Sequence, residues 1–225
     1  NLTMFVDTVK SAFSSLSTHK QAIAKATALP ILLSIILDLL LSKSEGDGAT
    51  VLVQILMALL SAIVAINVHS IILKGPQSVP QWGRFTFGKI EMWFIGHYLA
   101  MTIAVVAVAA LFAMINVALA AIALLVLGVI CCRLVLVFPA IAIGKGVSFP
   151  YAWNLTKGHT WYMMSVVILV PLLFGLAMSP LAFLQLPFLM SLLSFVVTII
   201  GIAILSKAYE QLSGFDGESY SQQSF

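Results

Sequence analysis

Two long runs of almost uncharged residues constrain this chain more than any other feature. The first run extends from Tyr98 to Ile143 and carries one formal charge, Arg133, whereas the second extends from Thr160 to Leu205 and carries none. Each run is 46 residues long, so a single helix would reach about 69 Å at a rise of about 1.5 Å per residue. The apolar core of a bilayer is roughly 30 Å thick. Each run is therefore predicted to fold back on itself as two membrane-spanning helices.

The composition supports a membrane environment for the whole chain. Hydrophobic residues make up 61% of the sequence and charged residues only 8%, whereas a soluble domain carries about 25% charged residues. A membrane β-barrel would require strict alternation of apolar and polar residues, and these runs are apolar at consecutive positions. The sequence therefore predicts an all-α integral membrane protein.

Turn signals divide the apolar sequence into six predicted spans, paired as three hairpins. Asn116 marks the turn in the first long run, and Ser179-Pro180 with Gln185-Leu186-Pro187 marks the turn in the second. Together the spans form a predicted membrane domain over residues 23–207. The spans are predicted at residues 26–41, 49–73, 90–115, 117–138, 160–178 and 187–207.

The segments outside the spans are predicted to differ in character. Within residues 1–22, apolar side chains recur at helical spacing, with Thr8 and Lys10 among the polar residues between them. This pattern predicts an amphipathic helix at the membrane interface, or alternatively an exposed helix that packs on a soluble partner. The apolar positions of this helix are Leu2, Phe5, Val9, Phe13 and Leu16.

Residues 208–225 are predicted to form a polar cytoplasmic tail, disordered from Gly214 onward.

The basic residues predict the orientation. Six spans place the N-terminus, the loops at 74–89 and 143–159 and the C-terminus on one side, with ten of the eleven Lys and Arg residues. The opposite side has only Lys43. Because basic segments stay in the cytoplasm, both termini are predicted to be cytoplasmic. The net charge of +3 is too small and too scattered to favour nucleic-acid binding.

The chain also contains an internal similarity. The segment with Ala12-Phe13, His19 and Pro30 resembles the segment with Ala152-Trp153, His159 and Pro171. A middle copy between Trp82 and His97 fits loosely. The pattern favours three repeats of one interfacial segment followed by one hairpin, an arrangement that occurs in transporters.

Residues 133–161, RLVLVFPAIAIGKGVSFPYAWNLTKGHTW, carry the most specific pattern in the chain. The pattern combines an Arg, a Phe-Pro-Ala, a short Gly-bearing turn, an Ala-Trp, a Thr-Lys-Gly and a Trp. It resembles the membrane domain attached to some glycerophosphodiester phosphodiesterases and the related bacterial inner-membrane proteins of the YciC type. Because the chain has no phosphodiesterase domain, the resemblance implies a membrane module of a bacterial inner membrane and not the hydrolase.

Cations and aromatic rings in this stretch form a candidate site for lipid headgroups or for an acidic partner. Arg133 lies at the edge of a span, and long basic side chains of this kind can reach lipid phosphates. Arg133 could alternatively snorkel to the interface without binding a specific ligand. The candidate residues are Arg133, Lys145, Lys157, Trp153 and Trp161.

Polar residues within the predicted spans are a second set of candidates, because intramembrane ionisable groups are costly and often functional. They are Asp38, Gln54, Asn67, His69, His97 and Asn116. No His or Cys pair has metal-ligand spacing, and no nucleophile–base pattern or glycine-rich phosphate loop occurs, so no metal, cofactor or catalytic residue is predicted.

Three functions remain open at this stage. The leading one is a non-catalytic membrane module, acting as a scaffold, an accessory subunit or a lipid-interacting protein, with lipids or other membrane subunits as partners. The second is a small-solute transporter or substrate-binding subunit, which would require a cavity near the midplane lined by polar side chains. The third is an intramembrane enzyme, which would require Asp38, Glu91 or a histidine to meet another ionisable group.

Overall fold

The computed structural model of the protein describes residues 2–43 and 46–222. Every regular element in this part of the chain is helical, and six helical stretches are long and apolar enough to cross a membrane. The predicted fold class, an all-α membrane protein with six spans, is therefore confirmed. The elements are α1 (Leu2–Thr18), α2 (Lys20–Leu41), α3 (Asp47–Lys74), α4 (Lys89–Ile115), α5 (Val117–Leu134), α6 (Val137–Ala142), α7 (Phe149–Leu155), α8 (Thr160–Leu184), α9 (Pro187–Ser213) and α10 (Gly217–Gln222).

The spans form three helical hairpins, made of α2 with α3, of α4 with α5 and α6, and of α8 with α9. We call the end of the bundle that carries α1, the linker 75–88, the segment 143–159 and α10 the basic end. The opposite end, with the hairpin turns, is the far end. Asn116 forms the second turn, as its sequence position predicted. Its N–H donates to the Phe112 carbonyl oxygen at 2.9 Å, and its side-chain oxygen accepts from the Ala118 N–H at 2.7 Å.

Some helix ends differ from the predicted ones. Helix α9 continues to Ser213, six residues past the predicted end of the last span, because Ala208 and Tyr209 are fully buried against the bundle. The predicted polar tail at 208–225 thus begins inside a packed helix, and residues 217–222 form α10. The end of the tail, residues 223–225, lies outside the described residues.

The fourth span is longer than predicted. The helix is interrupted after Leu134 and resumes as α6, which extends four residues past the predicted end at 138. Pro139 does not stop it, because proline is tolerated in the first turn of a helix, where its missing N–H would have no helical partner. Every residue from Leu136 to Ile143 is buried, so packing favours the continuation.

Burial is concentrated at the basic end. In α3, all but two of residues 60–73 are buried, whereas none of residues 51–59 is. No residue in the most apolar stretch of α4 is buried, whereas 33% of the residues in the most apolar stretch of α3 are buried. The helices are therefore packed tightly at the basic end and expose apolar faces over the rest of their length, as lipid contact allows.

Helix α1 packs on the bundle through a face that includes Thr8, which the sequence pattern grouped with the polar residues. The most buried residues are Thr8 and Ala12, at 1% and 0% exposure, whereas Leu2 is 76% exposed. The Thr8 hydroxyl lies 2.5 Å from the Tyr162 hydroxyl and 2.8 Å from the side-chain oxygen of Gln211. Thr8 can therefore be buried in the packed face of α1, because its hydroxyl forms hydrogen bonds with polar partners on α8 and α9.

The segments at the basic end pack on the hairpins in a cyclic order. Each segment that precedes a hairpin packs on the hairpin before it: the linker 75–88 on the first, and α7 on the second. Helix α1, which precedes the first hairpin, packs on the third and closes the ring. The repeat also appears locally, because His19 and His159 each directly precede a span, and Ala12 and Ala152 are both fully buried.

The contact of Gly83 with α2 generates a prediction about stability. Gly83 has φ +85, and a Cβ atom there would lie 2.3 Å from the Ala26 carbonyl oxygen. Gly83→Ala should lower the midpoint of thermal unfolding in detergent, because the backbone strain alone costs about 1–3 kcal/mol. Gly128→Ala is the control, since nothing lies within 4 Å of a Cβ at that position. Equal midpoints for the two variants would contradict the close approach.

Candidate functional site

Asn67 fixes the linker 75–88 against α3. Its side-chain oxygen accepts from the Arg84 backbone N–H at 2.6 Å, and its side-chain nitrogen donates to the Arg84 carbonyl at 2.9 Å. The nitrogen also donates to the Ile63 carbonyl of its own helix at 2.8 Å. Asn67 is fully buried, so it serves as a clamp for the linker and does not face an open cavity.

Arg84 and Glu91 form a second clamp at the start of α4. Glu91 is fully buried, and its carboxylate accepts from the Arg84 Nε at 2.5 Å, from the Thr86 hydroxyl at 2.9 Å and from the Gly88 backbone N–H at 3.0 Å. A buried carboxylate is tolerated when it is paired and hydrogen-bonded in this way. The ionised group therefore holds the linker where it enters the span.

His97 connects α4 to the segment 143–159. One ring nitrogen lies 2.8 Å from the Trp93 carbonyl oxygen and the other lies 2.8 Å from the Ser148 hydroxyl. The imidazole ring also packs between the rings of Trp93 and Phe149, at centroid distances of 4.7 and 4.9 Å. With both nitrogens occupied, His97 positions the segment and has no position left for a metal ion.

The second helices of the three hairpins meet at the centre of the basic end. His69 of α3 is fully buried, and its Nδ1 lies 2.7 Å from the Ser206 hydroxyl of α9. Ser70 donates to the Ala142 carbonyl of α6 at 3.4 Å. His69 is thus part of the bundle interior and does not reach the interface, since Ser206 supplies a polar partner inside the bundle.

Arg133 connects α5 to α7. Its guanidinium stacks on the Trp153 ring at 3.6 Å from the ring centroid, and its Nη2 donates to the Trp153 carbonyl at 2.7 Å. Its Nε donates to the buried Thr156 hydroxyl at 3.1 Å. Two of the five guanidinium N–H groups are occupied in this way. No carboxylate among the described residues forms an ion pair with Arg133.

Of the other predicted lipid-site residues, Trp153 contacts Arg133, whereas Lys145 contacts a different set of aromatic rings. Lys145 lies over the rings of Tyr151, Tyr209 and Phe215, at 5.8, 5.4 and 5.7 Å from their centroids. Tyr151 and Trp153 are two residues apart on α7, and side chains at that spacing point to different sides of a helix. Lys157 and Trp161 are exposed at the same end of the bundle. The predicted set thus surrounds α7 and does not converge on one point.

The polar residues that could have lined a midplane cavity lie at different depths. Asn67 and His97 belong to the basic end, whereas Asn116 is the exposed far-end turn. Gln54 is exposed on α3, thirteen residues or roughly 20 Å along the helix from Asn67. Asp38 is exposed at the far half, where Ser191 lies 3.5 Å from its carboxylate. These side chains therefore do not form one site.

Reactive groups are also dispersed. Within residues 2–43 and 46–222, no three His, Cys, Asp or Glu side chains gather as a metal site. Asp38 and Glu91 lie on different helices, and the Glu91 carboxylate is already bound by Arg84 and its neighbours. Cys131 and Cys132 are free thiols on α5. The Asp38, Glu91 and cysteine side chains are thus distributed over different helices.

Comparisons of the chain with protein-family models, with curated proteins and with solved structures give no match.

The pairing of Arg84 with Glu91 was not anticipated from the sequence, although a signal exists. Glu91 is three residues after Gly88, which is the capping-box position for an acidic residue at a helix start. Its side chain accepts from the Gly88 N–H, as that motif predicts. A basic residue shortly upstream of such a glutamate is then the first partner to consider for its buried charge.

The buried charge of Glu91 generates a second prediction. Arg84→Ala should lower the free energy of unfolding by about 3 kcal/mol, because it leaves a buried carboxylate without its cation. The double variant Arg84→Met/Glu91→Leu should recover most of this loss, since it removes both charges. The measurement is the unfolding free energy in a denaturant titration in detergent micelles.

The control is Lys207→Ala, which removes the partner of Glu210 in a partly exposed i,i+3 pair of α9. Such a pair contributes about 0–1 kcal/mol. Equal losses for Arg84→Ala and Lys207→Ala would contradict a clamping role for the buried pair, as would a double variant less stable than Arg84→Ala.

Proposed function

We propose that this chain is a non-catalytic membrane module of a bacterial inner membrane that interacts with lipids and acts as an accessory or scaffold subunit. The proposal places both termini and the basic end in the cytoplasm. It is supported by the charge bias, since ten of the eleven Lys and Arg residues belong to the segments at the basic end or to the helix ends next to them. Partners of such a module would be membrane lipids and other membrane subunits.

The geometry of Arg133 is the observation that carries the proposal. The guanidinium is held in place by Trp153 and Thr156, yet its charge has no carboxylate partner among the described residues. Its Nη1 group has no acceptor in the described part of the protein, and Nη1 and Nη2 together form the fork that binds two phosphate oxygens. A fixed cation at the end of a span, next to an interfacial tryptophan, suits the phosphate of an anionic headgroup.

The resemblance of residues 133–161 to the membrane domain of some glycerophosphodiester phosphodiesterases and YciC-type proteins is part of the same proposal. The segment forms the end of α5, then α6, the glycine-bearing turn, α7 and the start of α8. In this arrangement a short helix lies between two spans, and Arg133 bonds that helix to the span before it. We assign the chain to such modules on this segment alone.

Transport of a small solute is the second candidate function. A cleft of about 370 Å³ opens between α2, α3 and α9 at the far half, and its lining includes Ser34, Asp38, Ser191 and Ser194. A carboxylate with three hydroxyl groups is a suitable environment for a small cationic solute. The dispersion of the other intramembrane polar residues favours the lipid-interacting module as the leading proposal.

Substitution of Arg133 tests the lipid interaction. Arg133→Ala should weaken retention of phosphatidylglycerol about fivefold, because one cation at an anionic surface contributes about 1 kcal/mol. Arg133→Lys should weaken it less, since Lys keeps the charge but not the fork. Retained lipid is measured by mass spectrometry after purification in mild detergent, with unfolding midpoints recorded for each variant.

Lys43→Ala is the control, because Lys43 is the one basic residue assigned to the far end. It should leave retention unchanged. Retention in Arg133→Ala equal to that of the unsubstituted protein would reject the headgroup site and leave Arg133 as a residue that connects α5 to α7.

A further inference from the structure

Three grooves at the basic end occupy equivalent positions in the three repeats. Each lies between the first span of one hairpin and the segment that leads into the next hairpin. The first is between α2 and residues 76–81, the second between α4 and residues 141–146, and the third between α8 and α1. Their volumes are similar, about 370, 420 and 410 Å³ in the same order.

Each groove is bordered by one lysine. Lys25, Lys89 and Lys10 line the first, second and third groove, respectively, and all three are exposed. None of them pairs with a carboxylate of the described residues. Lys25 and Lys89 belong to the first span of their hairpin, whereas Lys10 belongs to α1, so the shared feature is the position of the charge at the groove and not its position in the sequence.

The third groove is the most apolar. Its walls are Phe5, Val9 and Phe13 of α1 and Leu173 and Phe174 of α8, with Lys10 as the charged residue. The Phe13 and Phe174 rings are 6.3 Å apart. Because α8 is a membrane span, this groove borders the acyl chains of the bilayer.

The second groove has an aromatic wall and a glycine-lined edge. Trp93 lines it, and its indole N–H donates to the Val147 carbonyl at 2.7 Å, which fixes the ring. Gly144 and Gly146 form the edge, and a Cβ at Gly144 would point to the Ile90 side chain at 3.7 Å. The missing side chains leave the space open beside Lys89.

The first groove is the most polar. Gln21, Gln77 and Gln81 line it together with Val79, and the Lys25 ammonium lies 6.0 Å from the centre of the adjacent Trp82 ring. A Trp beside a cation is typical of the membrane interface. Weaker apolar contact should make this groove the weakest of the three for an amphiphile.

We propose that each groove binds one anionic phospholipid, with an acyl chain along the walls and the phosphate at Lys25, Lys89 or Lys10. An unpaired ammonium is a binder of phosphate as a point charge, and an apolar groove on a span suits hydrocarbon. The inference rests on the proposed lipid-interacting function and makes it specific, since it assigns three equivalent sites that do not include Arg133. The repeat explains their number, because each copy supplies one segment and one first span.

Native mass spectrometry of the protein with added dioleoyl phosphatidylglycerol tests the proposal. Beyond the lipid proposed at Arg133, the unsubstituted protein should retain up to three lipids at a low lipid excess. Lys10→Ala, Lys25→Ala and Lys89→Ala should each lower the maximum by one, and the triple variant should lose all three. Lysine to arginine at the same positions should restore retention, since the charge is kept.

The matched control is Lys20→Ala, because Lys20 is an exposed lysine of the basic end that lines none of the three grooves. Ala177→Phe complements it, since Ala177 lines the third groove and a larger side chain would fill that groove without changing any charge. Lys20→Ala should retain all three groove lipids and Ala177→Phe two of them.

Four outcomes would overturn the proposal. They are unchanged retention in the triple variant, equal losses in Lys20→Ala, equal retention of dioleoyl phosphatidylcholine, and displacement of the lipid by millimolar inorganic phosphate. The last would assign the lysines to free phosphate. Arg133→Ala distinguishes the proposed function from the groove sites. If Arg133→Ala loses lipid and the groove variants do not, only the proposed headgroup site at Arg133 is supported. If the groove variants lose lipid and Arg133→Ala does not, only the groove sites are supported.

Discussion

The structure depends on one constraint: backbone that leaves a helix at the membrane border must still find hydrogen-bond partners. This protein meets the constraint with polar side chains that originate in the spans. Asn67 binds both backbone groups of Arg84, the Trp93 indole N–H donates to the Val147 carbonyl, and Arg133 donates to the Trp153 carbonyl in the last turn of α7. Each contact joins a span to a non-spanning segment, so the polar residues of the apolar sequence are used to build the basic end.

The cyclic packing of the three repeats follows from this use of polar contacts. Because each segment is bound by the hairpin before it, the basic end is a closed ring, while the rest of the hairpins exposes apolar faces. The ring leaves a groove between each first span and the next segment, with a lysine at each. The proposed lipid sites and the packing of the bundle therefore have the same structural origin.

The sequence was sufficient for the spans but not for their contacts. The number of spans follows from the length of the charge-free runs and the thickness of the bilayer, and the turn follows from the local chemistry of Asn116. The proximity of Arg133 and Trp153 was predicted from one short motif. The buried face of α1 was not predictable, because in a membrane protein apolar residues face lipid and protein alike. Thr8 was therefore assigned to the polar face, although its partners are more than 150 residues away. Burial of His69 depends in the same way on Ser206.

The most direct test of the account is whether the linker 75–88 and the segment 143–159 lie on one side of the membrane and the first hairpin turn on the other. Single cysteines at Gln77, Lys157 and Lys43, in a chain with Cys131 and Cys132 changed to serine, can be labelled with a membrane-impermeant thiol reagent in oriented membrane vesicles. The account predicts that Gln77→Cys and Lys157→Cys react from the cytoplasmic side and that Lys43→Cys reacts from the opposite side. Labelling of Gln77→Cys and Lys43→Cys from the same side would contradict it.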